Sequence, residues 1–127
     1  MASVYRKLMW NEQITVFHRI NSIEDGKQKV SWEKSVYEDC FWGNKIKWHK
    51  DGESIIRDNQ LIVRIPADKD AIVALGDIVV RGSIEDEIAG SGTNIKQAYK
   101  DSCFEIAKTT DNSKLKNTAH LLITDKG

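Results

Sequence analysis

Asn59-Gln60-Leu61-Ile62-Val63-Arg64-Ile65-Pro66 is followed ten residues later by Gly76-Asp77-Ile78-Val79-Val80-Arg81-Gly82. Each run reads as a strand closed by a turn residue. In the first, Leu61, Val63 and Ile65 share one face, because side chains alternate along a strand. Pro66, the only proline, has no amide donor and ends it. Residues 67–75 between the runs suit one or two helical turns. No nucleophile, metal cluster or phosphate loop accompanies the pair. The expectation is a small all-β scaffold that works through surfaces and loops.

The same period of two extends outward in both directions. In residues 13–20, Ile14, Val16, His18 and Ile20 take one face and Thr15, Phe17 and Arg19 the other. Asp25-Gly26 is a turn signal. Residues 30–47 alternate through Trp32, Lys34 and Val36 to Cys40, Phe41 and Trp42, with a bulge or corner expected at Gly43-Asn44. Asp51-Gly52 is the strongest hairpin signal, and Asp58-Asn59 reads as a second polar break. Residues 84–101 are the least strand-like, with a mobile Gly90-Ser91-Gly92 and a short helix in 94–99. Residues 103–109 and 119–124 read as a final antiparallel pair. The expected fold is mainly β, a single small antiparallel barrel or sandwich of six to seven strands with one or two short helical turns. Residues 1–11 are expected to form an N-terminal arm and 12–127 one barrel-like domain.

The 127 residues include 19 Lys+Arg and 19 Asp+Glu, so the formal net charge is zero. A dedicated nucleic-acid binder usually carries a basic excess, since phosphate neutralisation supplies most of its affinity. At 40% hydrophobic and 30% charged the chain is ordinary for a globular domain. No apolar run approaches the ~20 residues of a membrane helix, and residues 1–10 lack the apolar stretch of a signal peptide. The expected location is the cytoplasm of the producing cell or an assembled particle, with no membrane partner.

Residue types that carry chemistry are present without the company that chemistry needs. His18, His49 and His120 have no second ligand at i+2 or i+4, and zinc sites take three or four. Cys40 and Cys103 are far apart and read as small core hydrophobes. Gly90-Ser91-Gly92-Thr93 lacks the Lys-Ser/Thr ending of a phosphate loop. Glu85, Asp86 and Glu87 form an acidic cluster that reads as solvated loop charge. No catalytic residue, cofactor or metal is therefore assigned. Lys45, Lys47 and Lys50 alternate with Ile46 and Trp48, which is the pattern of a single-strand nucleic-acid surface and equally of a lysine-guarded edge strand.

Ile14-Thr15-Val16-Phe17-His18-Arg19, residues 37–42, the two opening runs and the terminal Phe104-Glu105-Ile106 with Asp111-Asn112 occur in an order that resembles an uncharacterised family of small proteins. These belong to tailed phages and prophages of Gram-positive bacteria, and their genes lie among those for head–tail joining. The resemblance covers residues 12–124 and rests on structural motifs. By size and strand pattern the family is similar to head–tail connectors of the stopper type, small β-barrels that form a ring below the portal. It implies a non-enzymatic minor capsid or neck protein of the virion, made in the bacterial host cytoplasm. Implied partners are other copies of itself in a homo-oligomeric ring, portal or adaptor, and tail-terminator or tail proteins, with passing contact to packaged DNA. The candidate channel or interface loop is His49, Lys50, Asp51, Gly52, Glu53 and Ser54. A second candidate interface loop holds Glu85, Asp86, Glu87, Gly90 and Gly92. The alternative is a stand-alone β-barrel module contacting single-stranded nucleic acid through Lys45, Lys47, Trp48 and Lys50.

Overall fold

The computed structural model describes residues 10–88, 90, 92–112, 114 and 119–125, with backbone alone at 45, 47, 49 and 58. Seven strands form in chain order: β1 (Glu12–Glu24), β2 (Lys27–Asp51), β3 (Ser54–Pro66), β4 (Ile78–Arg81), β5 (Cys103–Glu105), β6 (Lys108–Asn112) and β7 (His120–Thr124). A 3-10 turn, Ala67–Lys69, follows β3, and a short helix α1, Thr93–Ala98, precedes β5. All pairings are antiparallel, in the order β5-β4-β1-β2-β3-β7-β6. The two opening sequence runs, β3 and β4, are therefore not neighbours, and the segment between them crosses from one half of the sheet to the other.

The sheet is folded over on itself. β5 and β6 are opposite edges, six strand spacings or about 29 Å apart if the sheet were flat. Only Ile106 and Ala107 join them, and three peptide steps span at most about 10 Å. Ile106 N–H donates to Asp77 O at 2.8 Å on the β4 side, and Ala107 N–H donates to Thr124 O at 2.9 Å on the β7 side. The edges thus meet at a corner. No β5–β6 ladder forms among the described residues, so the sheet does not close into a hydrogen-bonded barrel.

The opposite corner lies within β2. This strand pairs with β1 from Lys27 to Cys40 and with β3 from Phe41 to Asp51. Its register against β1 slips by one residue between the pairs Glu12↔Cys40 and Ile14↔Tyr37, and Asp39, inside the slip, has φ 58°. An extra residue in a left-handed conformation bends a strand. The corner expected at Gly43-Asn44 is therefore four residues earlier. Gly43 has another reason: an added Cβ would lie 2.7 Å from the Phe41 ring. β2 and β3 also run unbroken through Gly43-Asn44 and Asp58-Asn59.

Folding the sheet encloses one core between its halves: Ile14, Val16, Cys40, Val63, Ile65, Val79, Phe104, Ile106 and Ile123. Trp42 of β2 meets Phe104 of β5 with ring centroids 5.6 Å apart. A second core lies on the outer face of β1 and β4, where Phe17, Ile78, Val80 and Cys103 are covered by Ile84 and Ile95. Residues 14–17 of β1 and 78–80 of β4 are buried on both faces, which explains why neither stretch alternates with charged residues. Thr15 fits this double burial because its hydroxyl donates to Gly82 O at 2.8 Å and accepts from Ile84 N–H at 3.0 Å.

Residue 39 is a direct test of the corner. A β-branched side chain in the left-handed region costs about 1–2 kcal/mol, and glycine avoids that cost. Urea unfolding of Asp39→Val should show a loss of that size, whereas Asp39→Gly should unfold near the wild-type midpoint. Equal losses in both variants would remove the corner from this residue.

Candidate functional site

The two hairpins extend past the core as arms. At the β1–β2 tip Asp25 and Gly26 both have positive φ, 53° and 75°, the pattern of a type I′ turn. At the β2–β3 tip Asp51 pairs with Ser54, so the two-residue loop is Gly52-Glu53. Of these two only Gly52 has positive φ, 65°, as a type II′ turn requires at its first position. Asp51 and Ser54 are thus strand residues, and the candidate loop from His49 to Ser54 is the end of a rigid ladder.

Residues 45–60 of this second arm extend about 24 Å beyond the core at ~3.4 Å per residue. The register places Ile46, Trp48 and Lys50 opposite Asn59, Arg57 and Ile55 on one face. Ile46, Trp48 and Ile55 are 45%, 66% and 68% exposed. The Arg57 guanidinium lies 6.0 Å from the centre of the Trp48 ring, which orients the indole while leaving it open to solvent. Of the four residues of the nucleic-acid alternative, Trp48 and Lys50 lie on this face, and the side chains of Lys45 and Lys47 lie outside the described residues. Sequence reading missed Arg57, although counting back from the Asp51–Ser54 pair brings it opposite Trp48. The β1–β2 arm carries a similar pair, with Arg19 5.9 Å from the Trp32 ring, and exposes Ile23.

The second candidate loop is pinned to the sheet rather than free. Gly90 O accepts from Trp32 Nε1 at 2.9 Å, and Glu85 O accepts from Lys34 Nζ at 3.3 Å. Glu87 pairs with Lys34 Nζ at 3.6 Å, and Asn94 Nδ2 donates to Glu87 O at 3.0 Å. Asp86 accepts from the Tyr99 hydroxyl and thereby raises the Tyr99 pKa. Gly92 is buried at φ 86°, where an added Cβ would come within 2.5 Å of Ile78 Cδ1. The expectation of a mobile glycine segment does not hold at Gly90 and Gly92; residue 91 lies outside the described residues.

Asp77 and His120, two buried polar residues of the body, have structural partners. Asp77, 1% exposed, accepts from His18 Nδ1 at 2.8 Å, Arg19 N–H at 2.9 Å and Ala74 N–H at 2.8 Å. It ties the β3–β4 crossover to β1. His120 is buried against Trp10, edge to face at 5.4 Å, and accepts from Asn112 Nδ2 at 3.1 Å. Residues 1–9 of the expected N-terminal arm lie outside the described residues, and so does the His49 side chain. Cys40 and Cys103 are buried and not joined in a disulfide, and burial pushes the Cys103 pKa up. Among the described residues no three His, Cys, Asp or Glu side chains are placed to hold a metal ion. No described helix is long and apolar enough to cross a membrane.

Fold and surfaces together define a mainly β domain with a folded-over sheet, covered on its outer face at β1 and β4, and two projecting hairpin arms. Residues 9–126 match the model of a family of unknown function, DUF6751, and the chain belongs to that family. No curated protein and no solved structure matches the chain.

Two measurements test this description of the polar groups. Asp77→Ala leaves the N–H groups of Arg19 and Ala74 without their acceptor, each at about 1–3 kcal/mol, and should be the costliest single polar substitution in urea unfolding. Glu12 is held below its ordinary value of 4.5, chiefly by its hydrogen bond from Arg81. A lowered carboxyl pKa contributes stability above the ordinary value, and that contribution disappears as pH falls through the lowered one. Glu12→Gln should therefore cost under about 1 kcal/mol at neutral pH, and the difference from wild type should vanish under acid conditions.

Proposed function

We propose that the chain is a non-enzymatic structural subunit of a tailed phage or phage-tail-like particle, a connector, stopper or collar protein at the head–tail joint. The observation that carries this reading is the β2–β3 arm. An exposed tryptophan flanked by Ile46 and Ile55 and steadied by Arg57 is the composition of an interface anchor. The pairing register continues from the core into the arm without a break, so the anchor is presented in a fixed direction.

On this reading the folded-over sheet acts as the barrel-like body of a ring subunit. The arm reaches a neighbouring copy, a portal or adaptor subunit, or a tail protein through a head-to-tail contact of the kind that closes into rings. The tip residues Lys50, Asp51, Gly52 and Glu53 then lie nearest the neighbour or the channel. The resemblance to head–tail joining proteins supplies the particle and the virion location.

Quantitative mass spectrometry of gradient-purified particles tests this. A low, ring-like copy ratio to the portal protein is expected. Trp48→Ala should unfold within about 0.5 kcal/mol of wild type yet be depleted from particles. Absence of the wild-type chain from particles would sink the proposal. Salt-dependent oligonucleotide binding that Trp48→Ala abolishes would then favour the stand-alone nucleic-acid module.

A further inference from the structure

The outer face of β3, β7 and β6 carries a groove that the assembly reading does not use. Two rows of the ladder cross it: Arg64, Leu122 and Thr110, then Ile62, Thr124 and Lys108. Leu122 and Thr124 form the floor on the middle strand, and Arg64 and Lys108 stand on opposite sides. The Arg64 guanidinium is held 4.9 Å from the centre of the Phe41 ring, and its donors make no hydrogen bond among the described residues. Among the described residues neither Arg64 nor Lys108 pairs with a carboxylate, and no carboxylate lines the groove. In a chain of zero net charge this is a local concentration of positive charge.

Thr124 supplies an independent indication. It is only 6% exposed, and its Oγ1 is buried without a hydrogen-bond partner among the described residues. A buried hydroxyl left unpaired opposes folding, and valine would fill the same strand position without that cost. The fold therefore gives no reason for the hydroxyl, whereas a ligand that accepts from it does.

We propose that this groove binds one phosphate-type oxyanion, either free or as the phosphoryl group of a small molecule. Arg64 and Lys108 supply charge from two sides, and the Thr124 and Thr110 hydroxyls donate from below. Donors converging from several directions suit the oxygens of a tetrahedral anion better than a planar carboxylate, which one arginine fork satisfies alone. A volume of about 120 Å³ admits a single such group and falls short of the ~300 Å³ at which drug-sized pockets begin.

The test is an amide NMR titration of the full chain with phosphate, with chloride and acetate at matched ionic strength, and with phenyl phosphate. Saturable shifts with phosphate at the amides of Lys108, Thr110, Leu122 and Thr124 are expected. Arg64→Gln and Lys108→Gln should each weaken binding about tenfold, the worth of one charge-assisted hydrogen bond. Lys29→Gln, on the distant β1–β2 arm, should not change it. Thr124→Val should weaken binding while leaving thermal stability equal or higher, since the hydroxyl it removes has no partner among the described residues. Tighter binding of phenyl phosphate assigns a carried phosphoryl group, and equal binding assigns the free anion. Non-saturating shifts that chloride reproduces would overturn the proposal, as would saturable binding indifferent to both Gln variants. Saturation by acetate with phosphate inert would overturn it too. None of these outcomes depends on particle assembly.

Discussion

The whole architecture depends on β2 serving both halves of the folded sheet. One continuous strand of 25 residues pairs with β1 over its first part and β3 over its second. With the extra residue at Asp39, the two partner strands can face each other across Ile14, Val63, Val79 and Ile123. The second corner, at Ile106 and Ala107, depends on the first, because a two-residue link joins β5 to β6 only when the sheet is already folded. Most contacts of the inner core are consequently long-range in sequence, and hydrophobic burial within that core is the term that offsets the entropy of bringing its strands together.

Hairpins were legible in the sequence because their determinants are local. Asp25-Gly26 and Gly52 supply the positive φ their turns require, and the alternation on either side fixes the face each strand turns inward. The Asp39 corner was not legible. Aspartate enters the left-handed region without a glycine signature, and the alternation reads through it. Gly43 misled for the complementary reason: it is needed for the space taken by the Phe41 ring, not for a bend.

The cover over the second core was half legible. The short helix expected in 94–99 is present as Thr93–Ala98, but Ile84 and Ile88 follow neither a strand nor a helix period, so the covering role of the segment before it did not show. The signal lay in the strands beneath, since Ile78-Val79-Val80 has no polar alternate and such a run implies burial on both faces. At the candidate site the tip and its aromatic residue could be read, whereas the face they share with Ile55 and Arg57 needed the register. The groove residues Arg64, Lys108 and Thr124 come from three strands distant in sequence, and no local pattern connects them.

The arms themselves are not explained by the core. An isolated two-stranded hairpin is at best marginally stable in water, and residues 45–60 hold an ordered ladder while leaving Ile46, Trp48 and Ile55 exposed. What stabilises them within the chain is continuity: each ladder is already registered by the buried pairs at its base, so extension carries no new closure cost. The same continuity fixes direction. The β2–β3 arm leaves the body along the course β2 takes after Asp39, without a hinge loop between corner and tip. A bend that exists to enclose the core therefore also aims Trp48, and any change in the corner redirects the arm as a unit.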